Sequence, residues 1–116
     1  MEDFEDIRIV EVKEIQEFRL SKDYAIVMTL SATPPEKWSQ ILMKEWKAKS
    51  KKSLFTGYVN EISIHCPLDE FETIYKELLI QCIKETNKKY RKILPSLIKE
   101  EEKNIELMEQ IKNTKF

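Results

Sequence analysis

The sequence predicts a small α+β domain, in which helices cover one face of a three-stranded, mainly antiparallel sheet. Two observations carry this fold class. Short segments alternate apolar and polar residues, as half-buried strands do, while two longer segments that follow prolines repeat their apolar residues every three or four positions, as helices do. The segments follow the order β-β-α-β-α, with an added C-terminal helix. A chain of 116 residues, 41% of them hydrophobic, is sufficient for one such core.

The first strand is expected within residues 7–20, which are rich in isoleucine and valine. Its apolar residues change parity near Lys13, as in a bulged strand, because one extra residue swaps the two faces. A short helix over the same segment is the alternative. The turn-forming residues 21–23 then lead into residues 24–31, whose clean alternation predicts a second strand with one buried face. We therefore expect a hairpin.

The next segment, TPPE at residues 33–36, has the residues of a helix start. Thr33 is placed as the N-cap, a proline occupies the first helical position, and Glu36 completes a capping box. The helix is expected to end near Lys49. Its predicted apolar face consists of Trp38, Ile41, Leu42, Met43 and Trp46.

A third strand is predicted from Tyr58 onward, and Pro67 closes it and opens a long helix. The apolar residues of this helix form one stripe, on which the rest of the chain is expected to pack. We expect Leu78 to be buried in this stripe, with Ile26 of the second strand buried in the facing layer. The stripe consists of Phe71, Ile74, Tyr75, Leu78, Leu79, Cys82, Ile83 and Tyr90.

Pro95 has no backbone N–H and disfavours helical geometry at Leu94, which predicts that the long helix stops or kinks there. A separate helix is expected over residues 96–112, with a thin apolar stripe interrupted by charged residues. We therefore interpret residues 1–94 as the α+β core domain. Residues 95–116 are interpreted as a helical extension that packs on the core or on a second subunit.

Composition narrows the classes of protein. The 20 basic and 21 acidic residues nearly cancel, which excludes the global positive field of a DNA-coating protein. The chain begins with acidic residues, and its longest membrane candidate, residues 24–30, is too short to span a bilayer. Cys66 and Cys82 are expected to be reduced thiols, because the intervening helix separates them. We therefore expect a cytosolic protein. Abundant lysine and isoleucine indicate AT-rich coding, as in a low-GC bacterium or its mobile elements.

The sequence contains few of the residue combinations that form catalytic or metal-binding sites. His65 and Cys66 are adjacent, but a structural zinc site needs four ligands and the sequence has no second histidine. As neighbours on a strand they point to opposite faces, which also argues against a catalytic pair. A single glycine, Gly57, cannot build a phosphate-binding loop. We expect no enzymatic activity and no cofactor.

Charge is unevenly distributed along the chain. Residues 1–17 and 99–110 are acidic, whereas residues 44–52 and 84–92 each carry five bases and one acid. These basic clusters either complement helix dipoles or bind a partner or nucleic acid. Trp46 has core spacing, with partial exposure as an anchor for a partner being the alternative. The candidate surface consists of Lys44, Trp46, Lys47, Lys49, Lys51, Lys52, Lys88, Lys89, Arg91 and Lys92.

The leading functional hypothesis is a non-enzymatic protein-binding or regulatory module that forms a homodimer. The thin stripe of the C-terminal helix needs a covering surface, and Ile98, Ile105 and Met108 are its candidate dimer seam. A nucleic-acid-binding protein that uses the two basic clusters is the alternative. A binder of a small anionic ligand is the third hypothesis.

Overall fold

The structure of the chain is a computed structural model that describes residues 4–57 and 59–115. In this part of the chain four strands form one antiparallel sheet with the order β1-β2-β4-β3. The strands are β1 (Ile9–Glu17), β2 (Tyr24–Leu30), β3 (Leu54–Thr56) and β4 (Glu61–Cys66). The predicted α+β class is confirmed.

The sheet has one strand more than the sequence predicted. Strand β3 lies in a segment to which the sequence assigned no element, because its three residues are too few to show an alternating pattern. It pairs with β4, and Leu54 lies opposite Ile64. Tyr58, the predicted start of the third strand, lies outside the described residues. The described strand begins at Glu61.

The predicted N-terminal hairpin is confirmed. Strand β1 pairs with β2, and the register shifts between Ile9 and Glu11 and again between Val12 and Glu14. The second shift coincides with the change of parity seen in the sequence. A bulged strand, and not a short helix, therefore occupies this segment.

Helices α1 (Glu36–Lys49) and α3 (Lys76–Lys112) pack on one face of the sheet. A short helix α2 (Leu68–Glu70) and a π-helical turn (Phe71–Tyr75) lead into α3. The core lies between the two layers. The sheet contributes Ile26, Met28, Leu30, Leu54, Ile62, Ile64 and Cys66, and the helices contribute Trp38, Leu42, Trp46, Leu79, Cys82, Ile83 and Tyr90.

The capping box predicted for α1 is wrong. The helix begins at Glu36 with Pro35 as its N-cap, and no side chain bonds to the cap. Each proline disfavours helical geometry in the residue before it, so Thr33 and Pro34 remain outside the helix. Pro35 is itself extended, with φ −60° and ψ 151°. The helix can begin only after the second proline.

The predicted apolar stripe of the long helix packs against the core, except at Ile74, and Leu78 is less buried than expected. Leu79 is fully buried, whereas Leu78 is only half-buried. A π-helical turn uses one more residue than an α-helical turn, so every residue after Phe71–Tyr75 is rotated relative to a regular helix. Ile74 is consequently exposed, although the sequence placed it in the stripe. The predicted burial of Ile26 is confirmed.

Pro95 does not end the helix, so the predicted stop at Leu94 and the predicted separate helix over residues 96–112 are wrong. Helix α3 runs through Pro95 to Lys112. Pro95 has no N–H to donate to the carbonyl of Arg91, so one helical hydrogen bond is missing. Because Pro95 is exposed, a water molecule can donate to this carbonyl instead. Residues 95–112 therefore continue the helix of the core. Across the described residues, no helix combines the length and apolar character needed to cross a membrane.

Candidate protein-binding groove

A groove of about 580 Å³ lies between strand β1 and helix α3. Its floor consists of buried side chains from both layers, namely Met28, Leu79 and Ile83. Ile80 of α3 and Val12 of β1 line its walls. The groove exists because the bulged first strand extends beyond the area that α3 covers.

Strand β1 leaves apolar side chains and one edge of the sheet open. Val12 and Ile15 are 49% and 53% exposed, although they lie opposite the core residues Met28 and Ile26 of β2. The sheet order places β1 at an edge, and within the described chain no strand pairs with its outer side. An exposed apolar edge strand is a site at which other chains bind.

Asn87 closes the groove at one end by anchoring the N-terminal segment. Its side-chain Oδ1 accepts hydrogen bonds from the backbone N–H of Ile7 (3.1 Å) and from Nε1 of Trp38 (2.9 Å). Its Nδ2 donates to the carbonyl of Ile7 (2.9 Å). This buried amide joins the N-terminal segment, α1 and α3 at one point.

The rim of the groove carries more positive than negative free charge. Arg8, Lys76 and Lys84 lie on the rim together with Asp6 and Glu11. Asp6 forms an ion pair with Arg91 (2.7 Å) and Lys76 forms one with Glu72 (3.6 Å), so both charges are compensated within the chain. Arg8 and Lys84 against Glu11 leave the rim with a small excess of positive charge.

The candidate dimer seam lies on the part of α3 that extends beyond the core. Ile105 and Met108 are 50% and 53% exposed, and Ile98 is half-buried. Leu97 is the last residue of α3 that packs against the core. The structure measures 63 × 30 × 24 Å along its principal axes, as this extension of the helix requires.

Trp46 is buried and does not belong to the candidate surface. It is 1% exposed, its ring lies 6.2 Å from that of Tyr75, and its Nε1 donates to the carbonyl of Lys52 (2.6 Å). This is the core position that its spacing indicated. The alternative, an exposed anchor among lysines, does not hold because the loop after α1 folds over the indole ring.

The basic clusters adjoin at one point, where a carboxylate lies between them. Glu45 forms ion pairs with Lys49 (3.9 Å) of the first cluster and with Lys89 of the second. The hydrogen bond to Glu45 raises the pKa of Lys89 above its ordinary value. In the second cluster Lys88 also pairs with an acid, Glu85 (3.7 Å). Acidic side chains thus offset part of the positive charge.

The remaining cluster residues diverge from this point. Trp38 of α1 contacts Asn87, and Trp46 contacts Tyr75, so α1 and α3 run antiparallel. The end of α1 therefore lies near the start of α3, and the later part of α3 lies near the start of α1. Lys44, Lys47, Lys51 and Lys92 are exposed, Lys52 is half-buried, and Arg91 is bound to Asp6 and to the carbonyl of Phe4.

His65 and Cys66 point to opposite faces of the sheet, as the sequence predicted. His65 lies between Phe18 and Phe55, with ring centroids 4.9 and 4.6 Å away. Cys66 is buried and free, as is Cys82, and burial raises the pKa of the Cys66 thiol to about 11. No group of three or more His, Cys, Asp or Glu side chains in the described residues could hold a metal ion.

Sequence reasoning missed the groove and its anchor. Ile80 was not assigned to any surface, and Asn87 was not singled out. The available signal was a polar residue within the stripe of the long helix, between Ile83 and Tyr90.

Neither a scan against models of protein families nor searches of curated proteins and of solved structures finds a match to this chain.

Proposed function

We propose that this chain is a non-enzymatic protein-binding module whose groove between β1 and α3 takes an apolar segment of a protein. The observation that carries the proposal is the apolar floor and wall of the groove beside an open strand edge. Exposed apolar surface of this kind is stabilised when a partner removes it from water. The unpaired edge of β1 offers backbone hydrogen bonds in addition.

Comparison of a groove variant with a surface control tests this function. Val12→Glu places a charge on the wall of the groove, and Leu20→Glu makes the same kind of change in a fully exposed turn. Each tagged full-length protein is used to capture proteins from a cell extract, with quantitative mass spectrometry as the readout. A candidate partner is a protein that Val12→Glu loses and Leu20→Glu retains.

The candidate partner is then purified, and its affinity is measured by calorimetry. We expect Val12→Glu to weaken binding at least about tenfold, because a buried unpaired carboxylate is costly. Leu20→Glu should bind as the wild type does. Equal affinity of wild type and Val12→Glu for every captured protein would overturn the proposal.

We place the module in the cytosol, a proposal supported by its two unpaired cysteines.

Nucleic-acid binding is a second candidate function. The observation in its favour is that Lys49 and Lys89 converge on Glu45, so the two basic clusters adjoin on the surface.

A further inference from the structure

The groove between β1 and α3 lies on the helical side of the sheet, and this position indicates the form of its occupant. We propose that the groove binds an amphipathic helix of another protein, about three turns long, which lies beside α3 in the same layer as α1 and α3. The inference rests on the proposed function, because it specifies the partner of the same groove.

The uncovered apolar surface of β1 is a face of the sheet and not only its edge. Val12 lies opposite Met28 of β2, and Ile15 lies opposite Ile26. Met28 and Ile26 are buried between the sheet and the helices. Residues that are paired in an antiparallel sheet point to the same face, so Val12 and Ile15 point toward the helical layer. They are nevertheless 49% and 53% exposed, which leaves this side of β1 open to one further helix.

A strand added to the edge of β1 would cover this face poorly. It would extend the sheet sideways and leave the space above Val12 open. The edge is also irregular, because the register of β1 shifts between Ile9 and Glu11 and again between Val12 and Glu14. Such bulges interrupt the regular spacing of backbone donors and acceptors and restrict pairing with a further strand. A helix packed on the face therefore removes more apolar surface from water.

The length of the groove fits a short helix. The α3 residues that line it run from Lys76 to Asn87, a rise of about 17 Å or three helical turns at 1.5 Å per residue. Beyond Asn87 the N-terminal segment of the chain covers α3, where Phe4 packs against Tyr90. An occupant of the groove therefore ends at Asn87 and has about eleven residues in contact.

The floor and walls of the groove define the apolar pattern of the partner. Met28, Leu79 and Ile83 form the floor, while Val12 and Ile80 form the walls. A helix that enters a groove of this kind buries the residues of one side, which occur at positions i, i+3, i+4 and i+7. The opposite side of the partner helix remains in water and is polar.

The free charge on the α3 side of the rim selects an acidic residue in the partner. Lys76 is paired with Glu72 (3.6 Å), whereas Lys84 is exposed and has no ion-pair partner among the described residues. On the other side of the rim, Arg8 and Glu11 of β1 carry opposite charges. A partner helix with an Asp or Glu directed toward Lys84 therefore gains an ion pair that fixes its register.

Selection from a random peptide library displayed on phage identifies the pattern that the groove binds. The peptides have about fourteen residues, or four helical turns, and are selected on the immobilised full chain. Clones that bind the wild type and not Val12→Glu should carry apolar residues at positions i, i+3, i+4 and i+7, with an acidic residue on the flank of this stripe. Leu20→Glu is the control and should retain the same clones, because Leu20 is fully exposed in a turn.

An enriched peptide is then synthesised with a fluorescent label, and its affinity is measured by anisotropy. Lys84→Glu should weaken binding by about threefold to tenfold, and a peptide with lysine in place of its acidic residue should recover most of that loss. The matched control is Lys103→Glu, which reverses an exposed charge of α3 beyond the core and should not change the affinity. Circular dichroism checks the folding of each variant and should show a gain of helix when peptide and wild type are mixed.

Three results would overturn the inference. They are enriched peptides whose apolar residues alternate, binding without a gain of helix, and an affinity that Lys84→Glu and Lys103→Glu change equally. Alternating peptides that Val12→Glu no longer binds would replace the helix by a strand and leave the protein-binding function standing. A selection without any clone that depends on Val12 would count against both the helix and the protein-binding function of the groove.

Discussion

At the scale of single residues, Asn87 contributes most to the geometry of the groove. Its amide bonds to both backbone groups of Ile7 and to the indole of Trp38, so three separate parts of the chain meet at one side chain. A buried amide with its hydrogen bonds made is stable, but its partners become costly once it is removed. The position of the N-terminal segment therefore depends on this residue.

We expect Asn87→Leu to lower the free energy of unfolding by about 2–4 kcal/mol, because it leaves the buried indole N–H and the Ile7 backbone unpaired. Urea denaturation followed by tryptophan fluorescence measures the loss. Asn104→Leu is the control, since Asn104 is exposed on the part of α3 beyond the core and its replacement should change stability by less than about 0.5 kcal/mol. Equal losses in the two variants would mean that Asn87 is not the anchor.

At the scale of elements, the π-helical turn decides which face of α3 is buried. The extra residue in Phe71–Tyr75 rotates the following stripe, so that Leu79 enters the core and Leu78 lies at its margin. The adjacent residues Leu78 and Leu79 therefore differ in burial although both are leucines. Helical periodicity alone cannot distinguish them, because a regular helix was assumed from Pro67 onward.

Leu79→Ala should therefore lower the free energy of unfolding by about 2–5 kcal/mol, the usual cost of emptying a fully buried leucine site. Leu78→Ala, the adjacent half-buried position, should cost less than half of that. Equilibrium unfolding of both variants in urea provides the comparison. A larger loss for Leu78→Ala would show that the π-helical turn does not shift the stripe.

Continuity of α3 through Pro95 is the second property of an element that can be tested. Pro95→Ala restores the missing N–H and removes a steric conflict, so it should raise the free energy of unfolding by about 1–3 kcal/mol. Circular dichroism should show unchanged helix content, because the helix already spans this residue. The neighbouring change Ser96→Ala is the control and should be close to neutral. A clear gain of helix in Pro95→Ala would indicate a broken helix.

At the scale of the whole molecule, the two basic clusters meet at Glu45 and then diverge. Lysines contact phosphate as point charges without bidentate reading of bases, so DNA binding through these clusters should be weak and independent of sequence. We expect any binding of labelled oligonucleotides at 50 mM salt to be lost by about 200 mM, because phosphate contacts release counterions. Fluorescence anisotropy is the measurement.

The control for that measurement reverses charge at Lys47, Lys51, Lys88 and Lys92. All four residues are exposed, so the variant should remain folded and lose whatever binding the wild type shows. Binding that persists at 200 mM salt, or that prefers one sequence, would make nucleic acid the leading function. Binding that survives the charge reversal would exclude the clusters as the site.

Local patterns in the sequence were sufficient to predict the α+β class, the bulged hairpin, the helical layer and the free cysteines. These features depend on local periodicity, on turn residues and on prolines, all of which act within a few positions along the chain. The amphipathic character of residues 98–112 was also predictable. Strand β3 was not, because three residues are too few to carry a pattern.

The position of the groove and the residues that line it depend on contacts between distant parts of the chain. Asn87 and Ile7 are 80 positions apart, and no local pattern could have joined them. The continuity of α3 through Pro95 depends on access of water to the carbonyl that has lost its N–H donor. The burial of Leu79 depends on the π-helical turn, which adds one residue before it. Local preferences act over a few residues, whereas these outcomes depend on which distant side chains share one core.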